Sequence, residues 1–178
     1  MKKIIIENVL KRFTEDYATN RFIPILEADV VGYFYHLLIL EIGDVAKIHL
    51  DTRICQFGNN KFDLVIGDVC YSYKRPCIEN PGIVIEFKAF PVGFTSQQHH
   101  VHYRHVIEDD VPKLAVLSNI RGDRYMLLFD EDNYLKGIDE KVGRRKIERI
   151  TKLRDEVDPK IKVIYITRQI GKLKWKIL

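Results

Sequence analysis

The segment GIVIEFKAF, residues 82 to 90, places a carboxylate and an amine inside an otherwise apolar run. In a β-strand, alternate side chains point to opposite faces, so Glu86 and Lys88 would share one face with Val84 while the other face is entirely apolar. An isolated pair of this kind is usually a weak ion pair on an exposed face. Its chemical meaning therefore depends on what lies beside it.

A second carboxylate comes from the strand-like run KFDLVIGDV, residues 61 to 69. If this run pairs antiparallel with the next strand, its start lies beside the end of that strand, which puts Asp63 next to Glu86 and Lys88. Asp68 would lie roughly 17 Å further along and on the opposite face, so it is the weaker candidate. Two carboxylates held together raise each other's pKa unless a cation lies between them. A hard divalent cation with oxygen ligands would meet that requirement.

The hydrophobic periodicity predicts two helices and then three strands joined by the turn-forming stretches FGNN and RPCIENPG. The helices are expected at residues 3–19 and 24–41, and the strands at residues 45–54, 61–69 and 82–90.

A helical segment from about residue 95 should break near Asp110, because the residue before Pro112 is disfavoured in the α conformation. Asp110 would then be the N-cap of a new helix. A strand, a charged helix and one or two closing strands should follow, at residues 124–129, 131–157, 162–167 and 172–178. This order predicts an α/β sandwich with a mixed sheet.

Asp63, followed by Glu86-Phe87-Lys88 on the next strand of this element order, resembles the motif of the PD-(D/E)xK nuclease superfamily. The resemblance covers about residues 20 to 130, with Phe62 standing where the family name has proline. It implies a restriction-endonuclease-like fold, a three-layer αβββαβ core with a central mixed β-sheet flanked by helices. We expect a single domain over residues 1–178, with a basic C-terminal helix and strands from about residue 131.

The resemblance also implies a function, the Mg²⁺-dependent hydrolysis of DNA phosphodiester bonds by an endonuclease. Asp63, Glu86 and the backbone carbonyl of Phe87 would bind Mg²⁺, for which Mn²⁺ would substitute. Lys88 would position or deprotonate the attacking water. Glu27 resembles the glutamate that family members carry on the first core helix and that completes the metal pocket, so it would assist at the metal directly or through water. It lies on an apolar helical stripe. A glutamate favoured by the helix dipole is the alternative interpretation of Glu27.

Charge is unevenly distributed along the chain. Residues 141–178 carry 13 Lys and Arg against 4 Asp and Glu, whereas residues 1–140 carry 16 against 21. A basic segment favours polyanions such as DNA, although many charge runs are simply solvated helix faces. The residues expected to contact DNA are Lys61, Gln98, His99, His100, Arg104, Arg144 and Arg145. A double-strand endonuclease of this kind is expected to act as a homodimer.

Other features limit the classes of function. Cys55, Cys70 and Cys77 are odd in number and lack CxxC spacing, which argues against a disulfide framework or a tetrahedral zinc site and favours buried thiols. The histidines of QQHHVHYRH have i, i+3 pairs that could bind metal, but unliganded histidines are commoner on helices. No apolar run is long enough for a signal peptide or a membrane span, so we expect a soluble, cytoplasmic protein. A small-molecule cofactor is not expected.

Two alternatives to a DNA endonuclease remain open. One is a nuclease-fold protein that binds DNA or assembles with partners without catalysis. The other is an enzyme of the same fold that acts on DNA junctions or on RNA, because substrate choice resides in loops and dimer geometry.

Overall fold

The computed structural model describes residues 2–72 and 75–178. Within them the helices, in chain order, are α1 (Lys2–Ala18), α2 (Glu27–Ile42), α3 (Ser96–His105), α4 (Val111–Ala115) and α5 (Lys146–Val157). The strands are β1 (Ile48–Arg53), β2 (Lys61–Ile66), β3 (Val69–Ser72), β4 (Arg75–Ile78), β5 (Ile83–Phe90), β6 (Asp123–Asp130), β7 (Ile138–Asp139), β8 (Arg144–Arg145), β9 (Ile161–Gln169) and β10 (Lys172–Ile177). None of the helices described is both long and apolar enough to cross a membrane.

Six of these strands form one mixed sheet in the order β1-β2-β5-β6-β9-β10. The first three strands and the last pair run antiparallel, while β5, β6 and β9 run parallel to one another. The predicted mixed sheet and the antiparallel pairing of β2 with β5 are therefore confirmed. Strands β9 and β10, from the basic C-terminal part, complete the same sheet.

Helices cover both faces of the sheet, because the strands alternate their apolar side chains between two cores. On one face, Phe13 of α1 and Phe34 of α2 pack with Phe87 of β5. On the other face, Leu114 of α4 and Ile150 of α5 lie in a second buried cluster with β5 and β6. Glu86 and Lys88 have the sequence parity of this second face.

Two stretches differ from the sequence prediction. The predicted strand at residues 61–69 ends at Ile66, and a separate hairpin, β3 and β4, occupies much of the stretch expected to be a turn. The predicted helix at residues 131–157 begins only at Lys146. Ahead of it the chain turns repeatedly, with Asn133 and Gly143 in the left-handed region at φ 59° and 63°, a conformation that a continuous helix excludes.

The predicted break at Asp110 is wrong. Residues Val106–Asp110 form a π-helical turn that continues α3 into α4, and the N–H of Val111 donates to the carbonyl of Val106. The wider turn accommodates Pro112, which has no N–H to donate, without ending the helix. Because the helical backbone runs from α3 through Asp110 into α4 without a break, the Asp110 side chain makes no capping hydrogen bond.

The prediction of three buried thiols is also wrong. Cys55 and Cys77 are joined by a disulfide, and Cys70 is a half-buried free thiol. Cys55 lies in the turn after β1, and the other two face each other across the β3–β4 hairpin. The sequence separations concealed this contact because the hairpin folds back towards β1, where Ile54 bridges to Ile78.

Candidate active site

Strands β2 and β5 pair over only three residues and then diverge. Past the last pair, Leu64 with Ile85, the edge of β5 is bonded to carboxylates instead of to a strand. The N–H of Phe87 donates to Asp63 Oδ2 at 2.8 Å, and the N–H of Ala89 donates to Glu27 Oε2 at 3.0 Å. The sheet edge thus fixes two carboxylates by backbone hydrogen bonds.

Glu27 reaches this edge because α2 begins there. The Asp29 carboxylate accepts the N–H groups of Ile25 and Leu26, both at 2.8 Å, and this turn sets the start of the helix. The same two backbone hydrogen bonds lower the pKa of Asp29. Gly43, with φ 71°, ends the helix in the left-handed conformation.

Asp63 and Glu86 lie side by side at the divergence. The backbone N–H of Asp63 donates to Glu86 Oε1 at 3.3 Å, and the Glu86 side chain is only 1% exposed. Burial and the charge of Asp63 raise the pKa of Glu86 to about 9, although Lys113, whose Nζ lies 2.6 Å from Glu86 Oε2, opposes the shift. The two carboxylates therefore form the electrostatically costly pair that the sequence predicted.

Lys88 lies between two further carboxylates. Its Nζ is 3.5 Å from Glu27 Oε1 and 3.4 Å from Asp110 Oδ2. Burial alone would lower the pKa of Lys88, but the charges of Asp110, Glu27 and Asp63 outweigh it and raise that pKa. The ammonium group is thus held in its charged form. Burial also raises the pKa of Asp110, and its Oδ2 accepts no well-formed hydrogen bond.

Three residues of this site were missed by sequence analysis, namely Asp110, Lys113 and His102. His102 Nδ1 lies 2.9 Å from the carbonyl oxygen of Ala89 and 4.0 Å from Glu27 Oε2. Asp110 and Lys113 have the i, i+3 spacing that puts two side chains on one helix face. The spacing was visible in the sequence, but the expected helix start at Asp110 gave that residue a capping role instead.

The oxygen ligands suit a divalent cation in part. Mg²⁺ is commonly bound through one or two carboxylates and keeps several waters, which Asp63 and Glu86 would satisfy. The Phe87 carbonyl lies on the same strand edge as its N–H and so faces Asp63. Glu27 does not join this pair closely: in the described ranges, only the three cysteines bring three potential ligand atoms within 4.8 Å of one another. Glu27 would therefore act through water or through Lys88.

No protein-family model matches the chain, and no curated protein matches it either. Among solved structures, it is similar to SfsA from Pyrococcus furiosus, solved in complex with Ca²⁺, with 16% sequence identity and a TM-score of 0.35. The match covers 84% of this chain and 62% of the SfsA chain. That TM-score is too low to establish a shared fold.

The weaker aspartate lies far from this group. Asp68 follows the opposite end of β2, its side chain is 87% exposed, and it pairs only loosely with Lys47, at 3.9 Å. Asp63 within β2 and Asp68 just beyond its other end thus offer a half-buried and an exposed carboxylate.

The residues expected to contact DNA fall into three groups. His99 is buried against Phe90 and Phe94, with its Nε2 3.2 Å from the carbonyl of Pro91, so the expectation that it reaches phosphate is wrong. Gln98 is exposed, but its side chain accepts the N–H of Thr95 as a helix cap.

The remaining members of that set are exposed basic side chains. Lys61 pairs with Asp51, and Arg104 pairs with Glu108 at 3.5 Å. His100 lies with Arg104 along a cleft of about 490 Å³ between α3 and α5. Arg144 and Arg145 form the exposed strand β8. All of these are available to a polyanion.

Proposed function

We propose that this chain is a metal-dependent DNA endonuclease of the PD-(D/E)xK type. Its restriction-endonuclease-like core would consist of α2, β1, β2, β5, the α3–α4 helical segment and β6, and the other elements would extend it. One observation carries the proposal: Asp63 contacts Glu86 where β2 leaves β5, and Lys88 follows on the same face of the strand. Without a cation, such a carboxylate pair is unfavourable, because burial and the charge of Asp63 raise the pKa of Glu86. A bound cation would relieve that cost.

In the proposed reaction Asp63, Glu86 and the Phe87 carbonyl hold Mg²⁺, or Mn²⁺ in its place. Bound there, the cation would lower the pKa of a coordinated water and neutralise charge that develops on the phosphate. Lys88 positions the attacking water and adds a fixed positive charge beside it. Because its carboxylate neighbours raise the pKa of Lys88, we favour this positioning role over proton abstraction.

Glu27 and Asp110 act on Lys88 instead of on the phosphate. Glu27 Oε1 and Asp110 Oδ2 lie 3.5 and 3.4 Å from its Nζ. Glu27 also accepts the N–H of Ala89, so it ties the start of α2 to the strand that carries Lys88. We assign both as positioning residues.

The partners follow from the reaction. The substrate would be DNA, approached by the exposed His100, Arg104, Arg144 and Arg145, and Lys61 would lie beside the metal pair. Cleavage of both strands requires two sites, which a homodimer provides.

The first test compares the two aspartates of β2. We expect Asp63→Asn to abolish Mg²⁺-dependent cleavage of plasmid DNA and to weaken Mn²⁺ binding measured by calorimetry, since it removes a ligand. Asp68→Asn is the matched control and should keep both. Loss of cleavage in Asp68→Asn with retention in Asp63→Asn would refute the site.

The second test concerns the exposed arginines of β8. Removal of one phosphate-binding side chain should reduce the slope of log affinity against log salt by about 0.9. We expect Arg144→Ala and Arg145→Ala each to flatten the slope, as measured by fluorescence anisotropy with duplex DNA. Arg154→Ala is a control, because Arg154 donates to the carbonyls of Ile161 and Leu178. An unchanged slope in both β8 variants would place the DNA elsewhere.

One observation favours the alternative of a DNA-binding protein without catalysis. The ammonium of Lys113 lies 2.6 Å from Glu86 Oε2, so one of the two carboxyl groups already has a cationic partner. A Lys113→Ala variant separates the cases. For an enzyme, Mn²⁺ affinity should stay equal or increase in this variant. For a protein without catalysis, neither parent nor variant would cleave DNA at any metal concentration.

A further inference from the structure

Three cysteines from two separate segments meet at one point of the structure. Cys70 Sγ lies 2.8 Å from Cys55 Sγ and 3.7 Å from Cys77 Sγ. A disulfide between Cys55 and Cys77 accounts for two of these sulfurs. It does not account for the third, which contacts both.

The arrangement of the sulfurs suits a soft metal ion. A Zn²⁺ ion binds thiolates at about 2.3 Å, so a tetrahedral site holds its sulfurs about 3.8 Å apart. The separation of 3.7 Å between Cys70 and Cys77 already has this value, and the register of the hairpin sets it, because the two residues are directly opposite. Cys55 is the partner that would have to move, and it lies in a turn instead of in a strand.

We propose that, in the reduced chain, Cys55, Cys70 and Cys77 form a thiolate site for a soft divalent metal of the Zn²⁺ class. A dithiol reductant supplies two electrons and two protons to the Cys55–Cys77 bond, which opens to two thiols as the reductant becomes a disulfide. Binding of the metal then releases a proton from each of the three thiols.

The fourth position of this site is open. No further His, Cys, Asp or Glu of the residues that the structure describes joins the group. Cys77 is buried, whereas Cys55 and Cys70 are half-buried, so the group is partly open to solvent. Water takes the fourth position.

The site would fix a particular part of the chain. The β3–β4 hairpin lies within the connection from β2 to β5, and Cys77 is followed by Ile78, whose side chain fills the space where Gly67 lacks a Cβ. A metal held by the three sulfurs would tie this connection to the turn after β1. None of the carboxylates of the proposed active site belongs to this group, so the thiolate site stands or falls separately from the proposed function.

Cobalt provides the test, because Co²⁺ bound to thiolates gives a sulfur-to-metal charge-transfer band that oxygen ligands do not give. The full chain is reduced with a phosphine, kept anaerobic and titrated with Co²⁺. We expect a band that saturates at one equivalent and is removed by one equivalent of Zn²⁺. Absence of the band would overturn the proposal.

Two variants assign the band. Cys70→Ser should lose it while still forming the Cys55–Cys77 disulfide on oxidation, whereas Glu86→Gln should keep it, because the carboxylate pair is elsewhere. A band unchanged in Cys70→Ser would refute a three-cysteine site.

A second measurement uses the unsubstituted chain and so does not depend on the folding of a variant. The reduced protein is treated with iodoacetamide with and without Zn²⁺, and each cysteine is followed by mass spectrometry. We expect Zn²⁺ to slow alkylation of all three cysteines together. Equal alkylation of Cys70 in both conditions would mean that the cluster is a disulfide with a neighbouring thiol and nothing more.

Discussion

Two groups of charged side chains on the same face of the sheet both contact α4, and they are balanced differently. In the first group, Arg124 donates to Asp158 Oδ2 at 2.6 Å and to the carbonyl of Leu114. In the second group, Lys113, which precedes Leu114 in α4, contacts Glu86. One helix thus contributes adjacent residues to both groups.

The first group is matched charge for charge. Arg124 and Asp158 have side chains that are 2% and 7% exposed, and one cation meets one anion, although Arg124 Nε makes no hydrogen bond. Burial alone would raise the pKa of Asp158, but the hydrogen bonds from Arg124 and the Lys160 N–H outweigh it and lower that pKa. This pair is complete without any added ion.

The second group has an excess of carboxylates. Two lysines face four acidic side chains, namely Glu27, Asp63, Glu86 and Asp110. Here the pKa values of Glu86 and Asp110 are raised, the opposite of Asp158. The same sheet face therefore holds a charge pair suited to stability and a charge excess suited to a cation.

The largest expected effect would test whether the first group is structural. Asp158→Asn should lower the free energy of unfolding by about 3–5 kcal/mol, because it leaves a buried arginine without its partner. Urea unfolding at pH 7 with EDTA measures this, and Asp155→Asn, on an exposed carboxylate, is the control. Under the same conditions Glu86→Gln should cost little, since burial raises the pKa of Glu86 to about 9 and the carboxyl group is already mostly protonated at pH 7. If both variants lost the same free energy of unfolding, the two groups would not differ in their contribution to stability.

Removal of Lys88 would sharpen the functional half of the comparison. We expect Lys88→Ala to reduce the cleavage rate by about 100-fold or more, the size of effect seen when one group that stabilises transition-state charge is removed. Calorimetric Mn²⁺ binding should persist, since Lys88 is not a ligand. Lys47→Ala, on an exposed lysine just ahead of β1, is the control. A Lys88→Ala protein that cuts at the parental rate would leave the second group without a catalytic role.

A smaller effect concerns the sign of the dependence on pH in the metal-free protein. Glu86 has a pKa of about 9 when folded, against an ordinary 4.5, so the folded chain retains a proton that the unfolded chain loses. The free energy of unfolding should therefore decline as pH rises from about 4.5 to about 9. Asp158 acts in the opposite direction: its contribution is present above an ordinary pKa of 3.8 and is lost as pH falls through its lowered folded value.

These opposite signs are measured by urea unfolding at a series of pH values with EDTA. Glu86→Gln should remove the decline towards alkaline pH, and Asp158→Asn should remove the loss in acid. A decline that persists in Glu86→Gln would assign the alkaline effect to another group.

The sequence was informative wherever alternation and pairing alone decide the outcome. Strand parity places Glu86 with Lys88, and antiparallel pairing brings Asp63 to them, so this part of the site could be predicted. Lys113 and Asp110 were harder to place: their i, i+3 spacing puts them on one helix face, but nothing local in the sequence shows that the helix continues through Pro112 by a π-helical turn. A proline usually ends a helix, but here one wider turn accommodates Pro112. Asp110 is buried as a result.

The predictions for the cysteines and for residues 131–145 were wrong for a different reason. Both depend on contacts between distant segments, and neither segment has a period of its own. A count of cysteines and their spacing cannot reveal that a hairpin folds back on an earlier turn. Likewise, a run of charged residues resembles a helix until the left-handed Asn133 and Gly143 interrupt it.

The short pairing of β2 with β5 has a consequence for how relatives of this chain would be recognised. Three residue pairs fix the register, and the carboxylates of Asp63 and Glu86 meet just beyond them. The connection between the two strands, residues 67–82, can then gain or lose residues without moving either carboxylate. A sequence pattern that fixes the number of residues between Asp63 and Glu86 would therefore miss relatives with a longer or shorter connection. A pattern that leaves this length free and keeps the alternation of each strand would find the site.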